Sequence, residues 1–195
     1  MMNKRLKQGS TFLLAVALTF PLLTLPGAKA ASAIDTDKEC SIEFDISGNS
    51  SELLSASIPV NLYKVASVDV SGNYTATGAF TGLDLSSVSA DNLDTAAATW
   101  AARAKEAQGK LTDSDGKTVV EPTETVTLQN GRGYKDKLKT GLYLVDTPKV
   151  ITTNYTYTFT PYLVSLPTNN YYSGNGTSDD WIYDLTKESN SAVGL

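Results

Sequence analysis

The chain has 195 residues, 16 Lys and Arg against 21 Asp and Glu, no His and a single Cys, Cys40. Without His there can be no Ser–His–Asp triad, no Cys–His dyad and no His-ligated metal centre, and one Cys cannot build an internal disulfide framework. The acidic balance shows no basic patch that would displace counterions from a polyanion, so nucleic acid is not an expected partner.

The N-terminal segment reads as an address. Lys4, Arg5 and Lys7 precede an apolar run from Thr11 to Leu25, Pro26-Gly27 breaks it, and Ala28-Lys29-Ala30 has the small-residue pattern of a cleavage site, with Ala31-Ser32-Ala33 as a second candidate. An uncleaved membrane anchor is the competing reading, but Pro21 interrupts the run and it falls short of the ~20 residues that a spanning helix needs. Residues 1–30 are therefore expected to be a signal peptide, and the product to be exported, to the cell surface, the cell wall or the medium. Four of the bases (Lys4, Arg5, Lys7, Lys29) and none of the acids lie in this segment, so a chain starting at Ala31 carries 12 bases against 21 acids, a net charge of −9. No other stretch approaches transmembrane length, and no mature transmembrane segment is expected. An exported domain without disulfides fits a Gram-positive surface better than a eukaryotic secretory route. The four Asn-x-Ser/Thr sequons (Asn49, Asn73, Asn154, Asn175) are expected by chance in a chain this rich in Asn, Ser and Thr.

After a short linker (31–39), the pattern has mostly period two. Ile42, Phe44 and Ile46 alternate with polar residues, which predicts a strand with one buried face, and Gly48 to Ser51 predicts a turn. A second strand is expected from Ile58 to Val68, a turn over Asp69–Gly72, and a Thr-rich strand over Tyr74–Phe80. Between Ser89 and Gln108 the rhythm changes. Leu93, Ala97, Trp100, Ala104 and Ala107 recur at spacings of four and three, which makes one apolar helical face with Trp100 as a core anchor. Ser89 or Asp91 would cap its start, and Gly109 its end. Asp113-Ser114-Asp115-Gly116 resembles part of a calcium loop, but Glu121 and Glu124 come too early for the closing ligand, so a turn is expected and no metal site. Thr123–Leu128 alternates with Val126 and Leu128 inward, Asn130–Gly133 is a loop, and Gly141–Asp146 reads as a central strand. Tyr155, Tyr157 and Phe159 alternate with Thr, Pro161 marks an edge or bulge before Tyr162–Val164, Pro167–Asp180 is a polar loop, and Trp181–Leu185 is a last strand. Many short strands and one inserted helix predict a mainly β chain, a β-sandwich.

Several strings go further. Asn61-Leu62-Tyr63-Lys64-Val65-Ala66-Ser67-Val68, Gly72-Asn73-Tyr74, Thr77-Gly78-Ala79-Phe80, Gly141-Leu142-Tyr143-Leu144-Val145 and Phe159–Pro167, followed by Trp181-Ile182-Tyr183-Asp184, stand in an order that resembles the N-terminal domain of Gram-positive sortase-dependent pilin subunits. The similarity spans nearly all of residues 40–186. It implies an Ig-like, CnaB-like sandwich at 40–186, with 187–195 a divergent tail, and it implies other pilin subunits and a pilus sortase as partners. In that family the domain ends in a motif, WxxxVxVYPK, whose Lys attacks the sortase-bound thioester of the next subunit; a deprotonated amine is a good acyl acceptor and leaves a stable amide. Trp181 fits the motif's Trp and Leu185 its first Val, while Glu188, Ser189 and Asn190 occupy the Tyr, Pro and Lys positions. Lys187 is either a displaced acceptor, three residues early and turned to the other face of a strand by the odd shift, or a plain solvated lysine. No LPxTG signal or hydrophobic tail follows, which leads to the expectation of a truncated or frame-shifted pilin. The family also often carries a Lys–Asn isopeptide bond; Lys38 and Lys64 are the available amines, and no Asn in the closing strand pairs with either.

The expected role is thus a structural, pilin-like subunit without catalytic residues and without cofactor. The alternative is a secreted adhesin or binding module whose loop residues Tyr171 and Tyr172 meet a host matrix or glycan ligand. A hydrolase using paired carboxylates is disfavoured, because the pair Asp179-Asp180 sits in a turn and no second acid can be placed opposite it.

Overall fold

The computed structural model describes the backbone of residues 11–14 and the full residues 32–90, 96–169 and 180–185. In chain order the strands are β1 (Thr11–Leu14), β2 (Cys40–Asp45), β3 (Ile58–Val68), β4 (Tyr74–Ala76), β5 (Glu124–Leu128), β6 (Arg132–Leu138), β7 (Gly141–Asp146), β8 (Val150–Ile151), β9 (Thr156–Phe159), β10 (Tyr162–Leu166), β11 (Thr168–Asn169) and β12 (Trp181–Ile182). One helical turn, α1 (Ser51–Leu54), and one longer helix, α2 (Ala97–Gly109), interrupt them. The chain is mainly β with one inserted helix, as the period-two pattern predicts.

The long strand β3 organises the molecule. Along one edge it pairs antiparallel with β7, and β7 pairs in turn with β10; along the other edge β5 covers its first half and β4 its last three residues. Ile58, Val60 and Leu62 project to one side, where they meet Cys40, Ile42 and Phe44 of β2, Val126 and Leu128 of β5, and Tyr143 and Val145 of β7 in a first core. That core fills the space between the main sheet and the smaller β2–β6 sheet. Tyr63 and Val65 point to the opposite face and line a second core, and a bulge in β3 between Lys64 and Ala66 shifts the register where Ala66 joins them.

Helix α2 closes that second face. Trp100, Ala104 and Ala107, spaced by four and three, are its buried residues, and the helix packs on β10 and β7. The Trp100 ring stands edge-on to Tyr74, with centroids 6.1 Å apart. Its start differs from the expectation: Ala96 occupies the N-cap position without a side-chain bond, Ser89 instead bridges to Asn73, and Leu93 and Asp91 lie outside the described residues. Gly109 is the last helical residue, and the following Lys110 caps it in right-handed conformation, so the glycine is not used for a left-handed turn.

Three further local readings change. The strand expected over Tyr74–Phe80 stops at Ala76, because Gly78 takes a positive φ of 57° and Gly78–Phe80 forms a 3-10 turn that buries Phe80. Ser50 accepts the Leu53 amide and so starts α1 where a plain turn was expected. The loop at Asn130–Gly133 is a tight hairpin turn in which only Asn130 (φ 51°) and Gly131 (φ 79°) leave the strands, and β6 follows at once. Asp113 uses its carboxylate to accept the amides of Asp115 and Lys117 at 3.0 and 2.9 Å, which makes this stretch a self-closed turn. Among the described residues, no helix is long and apolar enough to cross a membrane.

Candidate functional site

The residues that resemble the pilin motif lie in the closing segment, 181–185, and this segment is held by the start of the domain. Residues 32–39, read as a linker, run along the domain with Ile34 buried against Val68 and Ala90. Ile34 donates its amide to the Val70 carbonyl at 2.9 Å, and the Asp35 amide donates to the Tyr183 hydroxyl at 2.7 Å. Ser41 then pairs with Asp184 in parallel: its amide donates to the Tyr183 carbonyl (2.8 Å), its carbonyl accepts the Leu185 amide (3.3 Å), and its hydroxyl donates to the Asp184 carboxylate (2.6 Å). The Lys38 ammonium sits 4.1 Å above the Tyr183 ring, within range of a cation–π attraction.

Trp181 and Leu185 mark the two ends of this clamp. The Trp181 indole N–H donates to the Ser32 carbonyl, and its ring packs on the small cluster of Ile34, Val68 and Ala90. Leu185 packs against the first core. Lys187 lies outside the described residues, as do Tyr171, Tyr172 and Asp179.

Beside the clamp runs an open groove of about 500 Å3, lined among others by Lys38, Cys40, Asp136, Lys137, Trp181 and Tyr183. A bulge shapes one wall. Cys40 pairs with Leu138 and Ile42 with Lys135, so only Ser41 stands opposite Asp136 and Lys137. Lys137 takes the left-handed conformation (φ 57°), which lets the extra residue be absorbed. Both signs of charge line the groove, so it has no strong preference for an anion or a cation. The sequence carried no signal for this bulge, because β6 alternates polar residues and only Leu138 is fully buried along it.

The lone thiol of the chain is withdrawn from chemistry. Cys40 is buried, and burial pushes its thiol up to about 12, while Lys38 and Lys64 pull it partly back. A thiol of this kind stays protonated at neutral pH and is a poor nucleophile. Lys64 is half-buried; burial lowers its ammonium first, then the charge of Lys139. The groups acting on Lys64 are Lys139 and the Cys40 thiol rather than an acid, and Lys38 is held over Tyr183. Among the described residues, no group of three acidic or Cys side chains is placed to hold a metal ion.

No family model matches the chain, and no curated protein matches it. Among solved structures it is similar to the full-length major pilin SpaD from Corynebacterium diphtheriae, at 17% identity and a TM-score of 0.35, over 77% of this chain and 31% of that one. The chain thus spans about a third of the length of that pilin.

Proposed function

We propose that this chain is an exported, non-catalytic structural protein of a Gram-positive surface, a pilin-like subunit whose partners are other pilin subunits and a pilus sortase. One observation carries the reading. The strings that resemble the pilin N-terminal domain fall on neighbouring strands of one sheet: Asn61–Val68 is most of β3, Gly141–Val145 is most of β7, and Phe159–Pro167 contains β10. Resemblance that is co-linear in sequence and contiguous in a sheet is expected when a framework is shared, and is not expected from isolated chance strings. The closing segment that carries Trp181 and Leu185 is clamped to the domain start, which would give the residues beyond it a fixed exit from the sandwich. A protonated, buried Cys40 and the lack of His support a structural role.

An immunoblot of boiled cell-wall digests and culture medium, with antiserum against residues 31–195, tests the proposal. A heat-stable ladder in the wall fraction is expected for a covalent polymer, and Lys187→Ala should then abolish it if Lys187 is the acceptor. A single monomer band confined to the medium would remove the polymer role and leave a soluble pilin-like domain.

A further inference from the structure

The strand β9 has two edges with different partners. Its inner edge pairs antiparallel with β8, Val150 opposite Tyr157 and Ile151 opposite Thr156, and the connecting turn is fixed by the Thr152 amide donating to the Tyr155 carbonyl at 2.9 Å. The hairpin is pinned to α1 from outside: the Glu52 carboxylate accepts the Asn154 amide (2.8 Å) and its side-chain N–H (3.2 Å), and Ser50 bonds the Tyr157 hydroxyl (2.8 Å). A rigid strand therefore presents its outer edge.

That edge carries none of the usual protection. Natural edge strands are blunted by Lys, Pro, bulges or covering loops, yet residues 155–159 (Tyr-Thr-Tyr-Thr-Phe) contain no charge, no Pro and no Gly. Next to it lies an apolar groove of about 280 Å3, lined among others by Asn49, Ser50, Leu53, Tyr155, Tyr157 and Phe159. Tyr155 is 40% exposed, so aromatic surface flanks the edge.

The structure also seats an occupant on it. Strand β1 pairs in parallel with β9, Thr11 opposite Thr156, Phe12 opposite Tyr157, Leu13 opposite Thr158 and Leu14 opposite Phe159. These four residues are uncharged and lie at the start of the apolar run of the signal-peptide-like segment. We propose that the outer edge of β9 is a peptide-binding edge for an extended, uncharged, apolar segment, that Thr11–Leu14 of the same chain fills it while the N-terminal segment is attached, and that removal of that segment opens it. Main-chain hydrogen bonds supply the attraction in such strand addition, and flanking side-chain pockets supply the preference. The proposal does not depend on the pilin-like role; it uses the leader reading of residues 1–30 only for the step that opens the edge.

Hydrogen–deuterium exchange on the full chain tests it, with Leu13→Pro as the variant, since Pro cannot donate to a ladder. Those amides of Thr156–Phe159 that face β1 should exchange about tenfold faster in the variant while those that face β8 and those of β3 and β7 stay unchanged, which reports local opening in an intact fold. A synthetic peptide of residues 10–16, added in excess to the variant, should slow them again, and the same peptide carrying Leu13→Pro should not. Equal exchange in both proteins, or no rescue by the peptide, would overturn the proposal. So would protection that grows with protein concentration, because a second copy would then be covering the edge.

Discussion

Gly141 opens β7 with a φ of 153°, and a Cβ built on it would stand 2.5 Å from the Ala66 carbonyl oxygen and 2.8 Å from the Lys64 Cε. The bulge in β3 brings that backbone close, so the position requires glycine both for its dihedral and for its space. Gly141→Ala should destabilise the domain by about 3 kcal/mol, the sum of a strained dihedral and an overpacked contact; a shift of the urea midpoint at unchanged slope measures it. Cys40 acts through its proton. Burial holds the folded thiol at about 12, against 9.0 for an ordinary thiol. The folded state therefore keeps a proton that the unfolded state releases, so this contribution is complete below pH 9 and is lost as pH rises from there toward about 12. One such proton gives a slope of at most about 1.4 kcal/mol per pH unit. Burial raises the Tyr143 hydroxyl in the same direction. Denaturation of Cys40→Ala across this window should show a shallower alkaline loss than the parent; an identical loss would assign the effect to the tyrosines alone. Cys40 was legible in the sequence as the lone thiol, and its burial follows from standing in phase with Ile42 and Phe44 along β2.

Helix α2 was legible because a face is written into the spacing of Trp100, Ala104 and Ala107, and small residues beside one large ring let a helix lie close on a sheet. Its ends were not legible: an Ala in the N-cap position leaves no side-chain signature, and Gly109 stays inside the helix. Removing the large ring should detach the helix from the second core. Trp100→Ala is expected to cost about 3–5 kcal/mol, visible as a lower thermal midpoint with loss of helical signal; a variant that keeps its midpoint would mean the alanines alone hold α2. Strand β6 shows the opposite case. It alternates polar residues, Tyr134 is 56% exposed, and the strand exists because β2 needs a partner, a requirement that lies outside its own sequence.

The molecule is built as one wall with two cores, since Ile58, Val60 and Leu62 belong to the first while Tyr63, Val65 and Leu144 belong to the second. Two cores that share β3 and β7 cannot lose one without exposing the other, so unfolding should be a single cooperative transition. In a Trp181→Phe background, Trp100 fluorescence should follow the same urea curve as far-UV circular dichroism; two separate curves would show the helix layer coming off first. The sequence by itself determined the mainly β character, the position of β3, β7 and α2, the anchoring role of Trp100 and the lack of His, since alternation and helical spacing state which face of an element is buried. Only the tertiary structure decided which strands are neighbours, how Ser41 pairs with Asp184, where the bulge places Lys137, and that the edge of β9 is covered by Thr11–Leu14. The physical reason is that a buried face does not name its partner: the Asp35–Tyr183 bond joins residues 148 positions apart, and such contacts form only when the whole sheet order is in place.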